Sequence, residues 1–146
     1  MFPMIRSRHG IFTDGRMMPV SHGIDMAQVI LAADEARLRR LMAESLENRG
    51  LHVMEAADGA EALQLVKENP AVALLLSDVM MPVMNGHDLV EASLKMRPEL
   101  KVVMMTAYAT DHPTPAALKA REFRTLVKPF DPDRLCDLVV DMLARP

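Results

Sequence analysis

Residues 72–86 read VALLLSDVMMPVMNG, a run of six apolar or small residues that ends in one aspartate, Asp78, followed by a loop holding Pro82, Asn85 and Gly86. A strand that is apolar on both faces belongs in the middle of a parallel sheet, because only there do helices cover both of its sides. Parallel strands need long crossovers, so short apolar runs and amphipathic helices should alternate outward from this segment in both directions. They do. Residues 28–33, 51–56, 101–106 and 123–127 read as the other four strands, and 35–49, 58–69, 86–96, 115–121 and 132–144 as helices. In the first helix Leu38, Leu41, Met42, Ser45 and Leu46 share one stripe, and Gly50 and Pro70 mark helix ends. The predicted fold is α/β, a doubly wound five-stranded parallel sheet with right-handed crossovers.

The 146 residues are 50% apolar, enough for one domain with a continuous core. With 17 Lys and Arg against 20 Asp and Glu and no basic cluster, direct nucleic-acid binding is not expected. The single cysteine, Cys136, excludes an internal disulfide and a Cys-based zinc site, and among Leu135, Leu138 and Val139 it reads as a small core residue. Apolar runs fall short of the roughly 20 residues of a membrane helix, so no membrane insertion is expected; with no apolar leader, the expected location is cytoplasmic. The five histidines lack metal-ligand spacing, and Met42, Met54, Met104 and Met105 fall at core positions. Residues 1–26 carry Pro3, Pro19 and three glycines without a helical or strand period and are expected to form a flexible N-terminal extension, leaving 27–146 as the domain.

In a doubly wound sheet the ligand site lies at the carboxyl ends of the strands, where strand order reverses. The first strand ends at Ala33-Asp34-Glu35, the third at Asp78, the fourth at Thr106-Ala107 and the fifth at Lys128-Pro129. Two carboxylates, a hydroxyl and an ammonium therefore meet on one edge. That set suits phosphoryl transfer to a carboxylate. Asp34 and Asp78 can hold a hard divalent cation, Mg²⁺ or Mn²⁺, while Lys128 and Thr106 stabilise the equatorial oxygens of the phosphoryl group. Asp78, at the end of the most buried strand, is the nucleophile.

These residues carry a resemblance. Val29-Ile30-Leu31-Ala32-Ala33-Asp34-Glu35, the segment from Leu76 to Gly86, Met105-Thr106-Ala107 and Leu126-Val127-Lys128-Pro129-Phe130 together resemble a stand-alone response-regulator receiver domain of two-component signalling. The resemblance covers 27–146. It implies the flavodoxin-like (βα)5 fold with strand order 2-1-3-4-5, a phospho-acceptor at Asp78 and metal ligation by Asp34, Asp78 and the backbone carbonyl of Met80. It also implies phosphoryl-stabilising roles for Thr106 and Lys128, and a cis peptide between Lys128 and Pro129. Glu35 is a candidate outer-shell group. The implied phosphodonor is a sensor histidine kinase or a phosphotransfer protein.

Two positions depart from the family pattern. Ala33 stands where receivers usually carry the first of two adjacent acidic residues, one that reaches the metal through water, so weaker Mg²⁺ binding is expected. Thr125 stands where an aromatic ring commonly turns inward on activation. Ring rotation there cannot be the switch, and the expected response moves to the loop at 107–115 around Tyr108. The chain ends directly after the last helix, so output is expected through protein contacts, on the fourth helix, fifth strand and fifth helix, to an unspecified target. The reading is a signalling domain rather than a dedicated enzyme; a hydrolase with an aspartyl-phosphate intermediate would need a second aspartate where Met80 stands. The alternative, suggested by Ala33 and Thr125, is a pseudo-receiver scaffold not regulated by phosphorylation.

Overall fold

The computed structural model describes residues 10–13, 16–19, 27–107 and 124–145. The chain runs β1 (Gly10–Thr13), β2 (Arg16–Pro19), β3 (Gln28–Ala32), α1 (Ala36–Glu47), β4 (His52–Ala56), α2 (Gly59–Glu68), β5 (Val72–Asp78), α3 (Gly86–Met96), β6 (Lys101–Thr106), β7 (Arg124–Val127) and α4 (Pro132–Ala144). Strands β3 to β7 form one parallel sheet in the order β4-β3-β5-β6-β7, which in chain order is 2-1-3-4-5. Element ends shift from the expected ones by a residue or two. The helix expected at 115–121, together with Tyr108 and Phe123, lies outside the described residues.

The N-terminal stretch predicted to lack regular structure contains an antiparallel hairpin, β1 against β2, with Thr13 opposite Arg16 and Gly10 opposite Pro19. The two residues between the strands are Asp14 and Gly15, a dipeptide strongly favoured in two-residue hairpin loops. Each strand is too short for a visible period, so the turn dipeptide was the only local signal.

Side chains alternate across the sheet and feed two cores. Val29, Leu31, Leu74, Leu76, Val103 and Met105 pack with Met42 and Leu46 of α1 and with Leu135, Cys136 and Val139 of α4. Ile30, Ala32, Leu75, Val102 and Met104 face the other way, against Ala62 and Val66 of α2 and Leu89, Val90 and Leu94 of α3. This double coverage explains why β5 is apolar on both faces. Each described helix starts on a side-chain cap: Glu35, Asp58, Asn85 and Asp131 accept from backbone N–H groups, and Pro132 follows the last of them.

Two long basic side chains bind backbone carbonyls rather than carboxylates. The Arg97 guanidinium, just after α3, donates to the carbonyls of Val66, Asn69, Pro70 and Val72, tying that helix to the turn between α2 and β5. Lys101 Nζ donates to the carbonyls of Met142 and Arg145 at the end of α4, where the helix dipole favours a cation.

Candidate functional site

The carboxyl ends of β3, β5, β6 and β7 bring the predicted residues to one edge. Adjacent strands are locked in register there. Ala32 lies beside Ser77, Asp78 beside Met105, and Thr106 beside Val127. Backbone bonds continue past the strand ends, with Val79 N–H donating to the Met105 carbonyl at 3.0 Å and Lys128 N–H to the Thr106 carbonyl at 2.8 Å. The loops that carry the site are thus extensions of the sheet.

Asp78 is 4% exposed, and its Oδ1 lies 2.5 Å from Lys128 Nζ. Burial raises the Asp78 carboxyl above the usual carboxylate range; Lys128 pulls in the opposite direction, and the nearby Asp34 carboxylate adds to the rise. That influence puts the two carboxylates in one electrostatic neighbourhood although Asp34 itself is exposed. Thr106 is buried at the end of β6, and the Lys128–Pro129 peptide is cis. Among the described residues no three His, Cys, Asp or Glu side chains cluster to hold a metal. The side-chain oxygen donors are the two carboxylates of Asp34 and Asp78, and Oδ1 of Asp78 has Lys128 as its sole partner among the described residues. Such a hard, incomplete oxygen set fits Mg²⁺, which keeps several waters, and does not fit a softer metal that needs a full protein cage.

Other predicted residues fall as follows. Glu35 is exposed, and its Oε1 accepts from Leu38 N–H at 3.0 Å, so that oxygen holds the start of α1. The Met80 side chain is 67% exposed. Ala33 is buried and lines the same cavity as Asp78 and Lys128. Thr125 is exposed on β7, between buried Leu126 and half-buried Arg124.

The loop from Val79 to Asn85 is fixed by close backbone contacts. A Cβ on Gly86 would lie 2.2 Å from the Asp78 carbonyl oxygen, and one on Gly59 would lie 2.2 Å from the Met84 carbonyl oxygen. Both glycines are present because backbone occupies the space of a side chain. Gly86 N–H donates to the Val79 carbonyl at 2.7 Å, and Asn85 caps α3 by accepting from Asp88 N–H. Within this loop Val83 has φ of 70°, a left-handed conformation that is an outlier for a β-branched residue, and it is 80% exposed. The left-handed penalty is about 1–2 kcal/mol and glycine's added chain entropy offsets part of it. Val83→Gly is therefore expected to raise the unfolding free energy by about 0.5–1 kcal/mol, read from urea denaturation.

Two features at this edge left no mark in the sequence pattern. Arg39 of α1 donates through Nη1 to the Ala33 carbonyl at 2.7 Å and through Nε to Glu55 at 3.0 Å, so a guanidinium pins the backbone immediately before Asp34 to the edge strand β4. Leu38 and Leu41, expected on the buried stripe of α1, are instead 52% and 51% exposed. The first turns of α1 follow directly on the end of β3, at the sheet edge rather than over the strands.

The comparisons with known proteins agree with this geometry. Residues 29–140 match the response regulator receiver domain family. The chain is 35% identical over 114 residues to the response regulator receiver protein CpdR of Brucella abortus (strain 2308), covering 78% of this chain and 92% of that protein. It is 35% identical over 120 residues to the sensor kinase CckA of the same organism, covering 82% of this chain and 13% of the kinase. Among solved structures, the CheY-like response regulator receiver domain protein from Methanospirillum hungatei JF-1 superposes with a TM-score of 0.74 at 28% identity, covering 82% of this chain and 94% of that one. A parallel sheet in the order 2-1-3-4-5, with a buried aspartate and a paired lysine at its carboxyl edge and a family match spanning 29–140, identifies the chain as a member of the response-regulator receiver domain family of two-component signalling.

Proposed function

We propose that Asp78 accepts a phosphoryl group from the phosphohistidine of a sensor kinase or a phosphotransfer protein, in the cytoplasm, and that the phosphorylated domain signals through protein contacts. The observation that carries this reading is the buried Asp78 carboxylate paired with Lys128 at 2.5 Å, beside a second carboxylate that raises its proton affinity. An Asp78 oxygen attacks phosphorus, and the bond from phosphorus to the donor nitrogen breaks. Lys128 and the Thr106 hydroxyl face the oxygens on which charge accumulates. Asp34, Asp78 and the Met80 carbonyl would hold Mg²⁺, which supplies positive charge to the same oxygens when bound. Thr125 offers no ring to fill space behind Thr106, so the rearrangement on phosphorylation falls mainly on 79–86 and 107–115.

The pseudo-receiver alternative rests on Ala33 and Thr125 alone, whereas Asp34, Asp78, Thr106 and Lys128 are all present. Metal binding separates the two readings. Because Ala33 lines the cavity that holds Asp78, Ala33→Asp is expected to tighten Mg²⁺ binding roughly tenfold, the low end of what an outer-shell partner contributes. Calorimetric titration of the two proteins measures it. Equal affinities would mean that position 33 does not support a metal, and absence of binding in both would favour the scaffold.

A further inference from the structure

A cavity of about 430 Å³ opens beside the acceptor, with Asp78 and Lys128 at its polar end. Among the described residues its walls are mostly apolar, with Leu38, Leu41 and Met42 from α1, Phe130 from the segment between β7 and α4, and Pro132 at the start of α4, while Glu35 adds a carboxylate at the start of α1. Its volume lies in the range of small-molecule sites, as does its makeup of apolar walls and a few convergent polar groups. Leu38 and Leu41 stand three apart on a helix whose other exposed positions are largely charged, and about half of each remains open to solvent. The sheet core does not need them, since Met42, Ala43 and Leu46 supply the packing of α1. Ala33 adds to the apolar lining at the point where a carboxylate would have made it polar.

We infer that this cavity is a leaving-group subsite, and that among small acyl phosphates the domain prefers those whose acyl group is aromatic or otherwise bulky and apolar. The inference rests on Asp78 being the acceptor. Whatever is bonded to a phosphoryl group seated between Asp78 and Lys128 must project from that seat, and the cavity that contains both residues provides an apolar wall for it. In the reaction an Asp78 carboxylate oxygen forms the bond to phosphorus and the bond from phosphorus to the acyl oxygen breaks. The carboxylate leaving group departs with the electron pair, so neither a proton nor a redox partner is required. An apolar acyl group stays in contact with Leu38 and Leu41 throughout, while a methyl group is too small to reach both.

The test compares benzoyl phosphate with acetyl phosphate at equal concentration, using the full chain with Mg²⁺ and following the initial rate of a one-phosphoryl mass adduct. Spontaneous hydrolysis of the two donor dianions in free solution, which breaks the same phosphorus–oxygen bond, gives their intrinsic reactivity ratio. The benzoyl-to-acetyl rate ratio on the protein is expected to exceed that solution ratio roughly tenfold, the discrimination typical of a small apolar difference in a pocket. The Leu38→Ser/Leu41→Ser variant is expected to return the ratio toward the solution value, with thermal unfolding checking that the half-exposed substitutions leave the fold intact. A protein ratio equal to the solution ratio, or one that the double substitution does not move, overturns the subsite while leaving Asp78 as the acceptor. No adduct from either donor overturns the acceptor reading and the subsite with it.

Discussion

Asp78→Asn is expected to abolish phosphoryl labelling altogether while making the metal-free protein more stable at neutral pH. The amide lacks the nucleophilic carboxylate, and no other carboxyl among the described residues combines burial at a strand end with an ion pair to lysine. The stability effect follows from the direction of the pKa shift. A carboxyl whose value is raised in the folded state favours folding most when protonated, and that contribution is lost as pH rises from the ordinary carboxylate value of 3.8 through the raised value. At neutral pH the parent protein carries the full cost of a buried charge, partly offset by Lys128, and the asparagine variant does not. Urea denaturation in a chelator should show the variant gaining on the parent as pH rises across that window. A parent that is the more stable of the two at neutral pH would mean that Lys128 outweighs burial.

Gly86→Ala carries the second large effect, and its sign is opposite to the ordinary one. At the start of a helix, alanine for glycine normally adds about 0.5–1 kcal/mol of stability. Here the new methyl would meet the Asp78 carbonyl oxygen at 2.2 Å and the Val79 Cα at 2.9 Å. Both are backbone atoms, one at the end of the strand that presents the acceptor and one in the residue after it, so neither can turn aside as a flexible side chain would. Overpacking of this kind typically costs 1–3 kcal/mol, and a backbone contact belongs at the upper end, about 3 kcal/mol. Relieving the clash moves Asp78 relative to Lys128, so the labelling rate should fall well beyond what the lost stability explains. Denaturation with an unchanged dependence on urea, together with labelling under conditions where the variant is fully folded, separates the two effects.

The sheet and the carboxyl-edge site were legible because both follow from periodicity. The double-sided apolar run of β5 fixed a parallel sheet, and the strand ends then named Asp34, Asp78, Thr106 and Lys128 without further information. Periodicity fails where burial depends on what lies opposite. Leu38 and Leu41 share a stripe with Met42 and Leu46, yet only the latter two are buried, because the first turns of α1 lie at the sheet edge. It fails again for long polar side chains that bind distant carbonyls. Arg97 holds carbonyls 25 to 31 residues away, Arg39 joins the Ala33 carbonyl to the Glu55 side chain of β4, and nothing in their immediate neighbours marks either. The hairpin β1–β2 went unread for a different reason, since its one signal was the Asp14-Gly15 dipeptide in a segment otherwise without a period.

The identity of the phosphorylated atom decides the central claim. Full-length protein labelled by a small phosphodonor with Mg²⁺ can be treated with borohydride, which reduces an aspartyl phosphate to homoserine and leaves free carboxylates and phosphate esters untouched. Peptide mapping is expected to find homoserine at position 78, inside the segment VALLLSDVMMPVMNG, and at no other aspartate. Homoserine at another position, or a retained phosphate with no reduced residue, would contradict the assignment of Asp78 as the acceptor.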